Sequence, residues 1–161
     1  MNKLEKLSNW LNKTLAWVAG GALIVMMTLS VANIVLRLAH RPLGGTAEAV
    51  GWLAALTAAF ALGYTQIHRG HVAIDFLVER LPRGPRAVVD TLTSFAATAF
   101  FALAAWRVAS YAHRLGQLGK LSETMHISFF PFTYAVAFGF ACFALVLLVD
   151  GLKSVKGVIQ K

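Results

Sequence analysis

Four stretches of this 161-residue chain contain no Asp, Glu, Lys or Arg: Thr14 to Leu36, Ala49 to His68, Thr91 to Trp106 and Thr124 to Val149. No other feature constrains the fold as strongly. About 20 mostly apolar residues, at 1.5 Å rise each, carry a helix across the hydrocarbon of a bilayer. The first, second and fourth stretches satisfy that directly. The third is short, and it reaches the required length if helix extends back to Ala87 and past Trp106, with Arg107 snorkelling to the interface. The apolar positions do not alternate, which argues against β-barrel spans. The chain therefore reads as an all-α integral membrane protein, one domain over residues 1–161, with four transmembrane helices at about 14–36, 48–67, 87–108 and 129–149.

Composition agrees. Hydrophobic residues make up 58% of the chain and charged residues 14%, against about 45–50% and about 25% in a soluble domain. The single cysteine, Cys142, leaves no disulfide scaffold and no disulfide-based redox chemistry. The net charge of +8 would suggest nucleic acid in a soluble protein, but here its distribution encodes orientation. Ten of the fifteen basic residues lie in the N-terminal segment, the middle loop and the C-terminal tail. The other five, Arg37, Arg41, Arg107, Arg114 and Lys120, fall on the opposite side. Basic residues favour the cytoplasmic side, so both termini are expected there, and no nucleic-acid partner is implied. Lys3, Lys6 and Lys13 precede an apolar run far longer than a signal-peptide core, without a small-residue cleavage site, so the first helix is expected to be retained. Trp10, Trp17 and Tyr64 near the inner surface and Trp52 and Trp106 near the outer one suit interfacial belts.

Helix two carries the clearest packing signal. Ala47, Gly51, Ala55, Ala59 and Gly63 recur every fourth residue and leave one face nearly bare. Such a face lets another backbone approach closely in lipid, either within the same four-helix unit or on a second membrane protein. Helix four has a weaker version in Ala135 and Gly139. No span carries an ionisable residue at its centre, whereas proton relays and ion pathways usually leave one. The chain is thus not expected to move a polar solute alone.

Polar information sits at the helix ends. Asn33, read as a helix–helix contact, shares a face with Arg37 one turn on. Arg41, Pro42, Gly44 and Gly45 make a tight outer hairpin, Thr46 is a candidate N-cap, and Glu48 opens helix two, where an acid suits the dipole. The hairpin is expected to bring Arg37 and Glu48 together. In the middle loop Gly70 can end helix two. From Val72 to Leu81, Ile74, Leu77, Val78 and Leu81 share one helical face opposite Asp75 and Glu79, and Pro82 stops the pattern. A short amphipathic helix lying in the interface is expected between helices two and three.

Five histidines raise a haem-binding alternative, a membrane anchor of a redox complex with two axial ligands on facing helices. His40, His68, His71, His113 and His126 all lie at or beyond helix ends, which argues against it. No zinc set, nucleophile–base arrangement or phosphate loop is visible, so neither a metal, a cofactor nor an enzymatic activity is expected.

Three motifs in order complete the reading: Asn33-xxx-Arg37 with Gly45-Thr46-Ala47-Glu48; Gly70-His71-Val72-xx-Asp75 closing on Leu81-Pro82-Arg83; and Ser122-xxxx-Ile127 before Phe129, Phe130 and Pro131. With four spans in a chain of this length, the whole resembles the small membrane subunit of tripartite ATP-independent periplasmic (TRAP) transporters, the DctQ-type small permease. The family often has a Trp where this chain has its Phe pair. The resemblance implies a bacterial inner-membrane protein beside a large membrane subunit that holds the substrate and sodium sites. A periplasmic solute-binding protein docks transiently and delivers an organic acid such as a dicarboxylate, and an ion gradient drives uptake. The small subunit would act as a scaffold contacting these two proteins and lipid. On that resemblance Asn33, Arg37, Glu48, Gly70, His71 and Asp75 are candidates for assembly, alongside the small face of Gly51, Ala55, Ala59 and Gly63; none would be catalytic. A stand-alone small transporter is the remaining alternative.

Overall fold

The computed structural model describes residues 2–41, 43–68 and 83–159. They form four helices: α1 (Asn2–Leu38), α2 (Thr46–Ile67), α3 (Arg83–Gln117) and α4 (Phe130–Ile159). All four are long and apolar enough to cross a membrane. The described residues contain no strand, only an isolated bridge between Leu121 and Ser128. The expected interfacial helix, with Gly70, His71 and Asp75, lies outside the described residues.

Helix ends follow local backbone chemistry. At the end of α1 the His40 N–H donates to Arg37 O at 3.1 Å and the Arg41 N–H to Leu36 O at 2.9 Å. His40 is left-handed, at φ 56°. This paired closure satisfies carbonyls that the last turn would otherwise leave orphaned. The end of α3 repeats it around Gly119. Thr46 is not the N-cap of α2: it is the first helical residue, and its hydroxyl donates to Leu43 O at 2.9 Å. The capping position belongs to left-handed Gly45.

α4 is central. It packs along α3 on one side and against α2 on the other, α1 pairs with α2 and touches α4, and α3 makes no comparable contact with α1 or α2. The result is an open slab rather than a closed bundle. A wedge between α2 and α3 is floored by Phe143 and Leu147 of α4. The core holds Leu15, Ala19, Ala59, Phe60 and Cys142. Gly139 lets α2 come close: a Cβ there would lie 2.9 Å from the Phe60 ring and 3.0 Å from Ala59.

Three contacts set the register of α3 on α4. Gly116 lies under the Phe130 ring. Phe101 meets Phe143 edge-on, with centroids 4.5 Å apart, and Phe140 at 5.9 Å. Gly151 faces Ser94, where a Cβ would lie 3.3 Å from the serine Cβ. Much of α1 and α3 faces outward with apolar side chains such as Trp17, Ile24, Met27, Phe100 and Trp106. Water would penalise a patch of that extent; a bilayer or a partner helix would not.

At the terminal end of the slab Lys153 pairs with Glu5 at 2.6 Å, joining α4 to α1. Gln66 donates to Asp150 at 3.4 Å, joining α2 to α4. Asn12 is almost fully buried; its amide donates to Ser8 O at 2.8 Å and its side chain fills the space that a side chain on Gly63 would take.

Candidate functional site

The hairpin end concentrates the polar contacts between elements. Glu48, in the first turn of α2, reaches the loop between α3 and α4. Its carboxylate accepts the Ser122 hydroxyl, the Thr124 N–H at 3.0 Å and the Met125 N–H at 3.4 Å. Ser122 Oγ in turn accepts the Met125 N–H at 3.2 Å. The loop is closed on itself, with the Ser122 N–H donating to Ile127 O at 3.0 Å and the His126 N–H to Ser122 O at 3.2 Å. Met125 lies over Gly45, where a Cβ would collide with the methionine Cγ. Gly45 is therefore required twice, by its positive φ and by this close approach. Beside this clasp Trp52 of α2 stacks on Phe129 and Phe132, at centroid distances of 6.2 and 5.2 Å. The two hairpins thus form one rigid cap.

Two expectations change here. Arg37 and Glu48 are not paired. Arg37 is exposed at the end of α1, while Glu48 turns to the other hairpin, whose hydroxyl and two backbone N–H groups satisfy an anion without a cation. Asn33 is not a helix–helix contact. Its Oδ1 accepts the Leu43 N–H at 3.0 Å and ties the α1–α2 turn to α1. Ser122 stands among the motif residues in the sequence, but Thr124 and Met125 contribute only backbone groups, which leave no signature in side-chain identity.

The small face of α2 divides by depth. Ala59 and Gly63, toward the terminal end, are buried against Gly139 and Asn12 of the same chain. Ala47, Gly51 and Ala55, toward the hairpin end, are exposed, and a Cβ on Gly51 would meet nothing within 4 Å. Ala54 and Ala58 are also exposed and lie on the same side at helical spacing, so the open surface is a band of small residues wider than the every-fourth-residue pattern.

His40, His113 and His126 lie toward the hairpin end, and His68 follows the last turn of α2 with its ring 4.1 Å from that of Tyr64. Among the described residues no three His, Cys, Asp or Glu come together in a way that could hold a metal ion. What the arrangement offers is surface: a stiff polar cap, and below it a bare face that a helix could approach.

Residues 25–157 match the family of the DctQ component of tripartite ATP-independent periplasmic transporters. The match runs from the middle of α1 to the last turns of α4. No curated protein and no solved structure matches the chain.

Proposed function

This chain belongs to the DctQ-component family of the tripartite ATP-independent periplasmic transporters, and from that membership we propose that it is the fixed scaffold on which the large membrane subunit is held. The family is one of transporter components, and membership implies a multi-pass small subunit associated with a large membrane subunit and a solute-binding protein. The observation that carries the scaffold reading is the pairing of a rigid cap with an open small-residue face. The Glu48 clasp holds the two hairpins together, and Gly51, Ala54, Ala55 and Ala58 stay bare beside it. In lipid, where burial from water no longer drives helices together, a small-residue face lets backbones approach closely and gain packing contacts.

In this reading the cap faces the periplasm and forms part of the surface on which the solute-binding protein docks. Both chain ends lie in the cytoplasm of a bacterial inner membrane, in keeping with the basic residues of the terminal end. The system would take up an organic acid such as a dicarboxylate, driven by an ion gradient, with sodium as the coupling ion. Asn33, Arg37, Glu48, Gly70, His71 and Asp75 support assembly.

The test is reconstitution. The large membrane subunit and the binding protein, in liposomes with an imposed sodium gradient, should take up a dicarboxylate only when this chain is present and co-purifies with the large subunit. Equal uptake without it would overturn the scaffold reading.

A further inference from the structure

The register of α3 on α4 places a charge where the individual sequence runs did not. Arg107 lies nine residues from Gly116, the glycine under Phe130 at the start of α4, and nine residues of helix rise about 13 Å. From Phe130 to Val149 α4 holds no charge, a length that rises about 30 Å and equals the hydrocarbon thickness. Arg107 is therefore level with Val136 to Gly139, near the middle of the uncharged Phe130–Val149 part of α4 and not at its edge. The contacts of Phe101 with Phe140 and Phe143 fix the same register from the other side.

Snorkelling cannot bring this side chain to the interface. The distance exceeds the length of an arginine side chain. Tilting the slab by an average 20° shifts neighbouring helices, about 9 Å apart, by only about 3 Å. Arg107 also faces away from the fold. Ala105, Ala112 and Leu115 are buried, whereas Trp106, Arg107, Tyr111 and Arg114 are exposed. Arg107, Tyr111 and Arg114 share one face at helical spacing. No Asp or Glu occurs between Thr91 and Ser122. Among the described residues the one ion pair is Lys153 with Glu5, and the Arg107 guanidinium lies 5.8 Å from the ring of the adjacent Trp106. An arginine at such depth, outward-facing and uncompensated, is costly beside lipid; intramembrane charges almost always face a protein interior or a water-filled cavity and are paired there.

We propose that the Arg107–Tyr111–Arg114 face of α3 is a seat for the large membrane subunit, which places a carboxylate against Arg107 within the leaflet at the hairpin end. The charge of the face selects that occupant: a bidentate acid satisfies a guanidinium and excludes water, which an apolar helix or an acyl chain does not. This inference rests on the scaffold reading and adds a second, polar contact to the bare face of α2.

The test uses the complex with the large subunit. Arg107→Gln and Arg107→Leu should each lower its recovery at least tenfold, Arg107→Lys should retain only part of it, because an ammonium keeps the charge and loses the two-pronged contact, and each variant alone in detergent should keep the helical signal and elution volume of the wild type. With Tyr111→p-benzoylphenylalanine, irradiation should cross-link the chain to the co-expressed large subunit. Unchanged recovery for Arg107→Gln and Arg107→Leu would overturn the proposal. So would a Tyr111→p-benzoylphenylalanine chain that co-purifies with the large subunit without cross-linking to it, which would place the contact on another face. Failure of the wild-type chain to bind the large subunit at all would instead overturn the scaffold reading.

Discussion

Glu48 in the first turn of α2 accepts the hydroxyl of Ser122, in the loop that leads into α4. The bond joins the two hairpins at one end of a slab in which α3 packs chiefly on α4. Removing the carboxylate leaves Ser122 Oγ–H and the Thr124 N–H without their partner. Glu48→Ala should lower the thermal midpoint of the purified chain by several degrees, and Glu48→Gln by less, because the amide keeps one acceptor. Static light scattering or tryptophan fluorescence in detergent reads this directly, Trp52 being stacked beside the clasp. An unchanged midpoint for Glu48→Ala would show the clasp to be energetically idle.

Gly45 carries two separable constraints, its φ of 77° and the Met125 side chain that lies over it. Gly45→Ala should destabilise by about 1–2 kcal/mol from the backbone alone, plus the cost of moving Met125. Adding Met125→Ala should recover the steric part and leave the backbone part. A double-mutant cycle measures the two, and full additivity would mean that Met125 does not press on Gly45.

The small face of α2 should respond differently along its length. Gly139→Leu and Gly63→Leu place bulk where Phe60, Ala59 and Asn12 already sit, and overpacking of that kind typically costs about 1–3 kcal/mol or more; the isolated chain should be recovered aggregated or in low yield. Gly51→Leu and Ala55→Leu point into open space, so the chain should stay folded while recovery of the complex with the large subunit falls. Size-exclusion profiles of the chain alone and with the large subunit distinguish the outcomes.

The Lys153–Glu5 pair is a counter-example. Both side chains are substantially exposed, at 42% and 36%, and exposed pairs contribute about 0–1 kcal/mol. Lys153→Ala should shift the thermal midpoint by no more than a degree or two, and less still in high salt. A large, salt-independent shift would mean that the pair is shielded at the terminal end.

Much of the candidate surface is legible in the sequence. Asn33 and Glu48 stand out as polar residues at the ends of apolar runs, and the bare face of α2 is visible as a four-residue rhythm. Their partners were not legible. Glu48 suggested Arg37, the nearest cation across a short hairpin, but its carboxylate binds residues more than seventy positions away, two of them through backbone N–H groups. Asn33 suggested a neighbouring helix and instead holds its own turn. The rhythm from Ala47 to Gly63 suggested one face with one role, yet helix packing buries its far half within the chain and leaves its near half open.

Four apolar helices, the points at which charge resumes along each, and the family resemblance can all be read from the linear order of residues. Those properties follow from hydropathy and spacing along one strand of chain, which no neighbour needs to supply. The sliding position of one helix on another is set differently, by which ring meets which glycine. Phe101 beside Phe140 and Phe143, Gly116 under Phe130 and Gly151 against Ser94 hold α3 at one height on α4. That height turned Arg107 from the edge of the third apolar run into a charge level with the middle of the fourth. That height comes from side-chain packing between helices, because an apolar run reports a helix's own length and says nothing of its register against its neighbours.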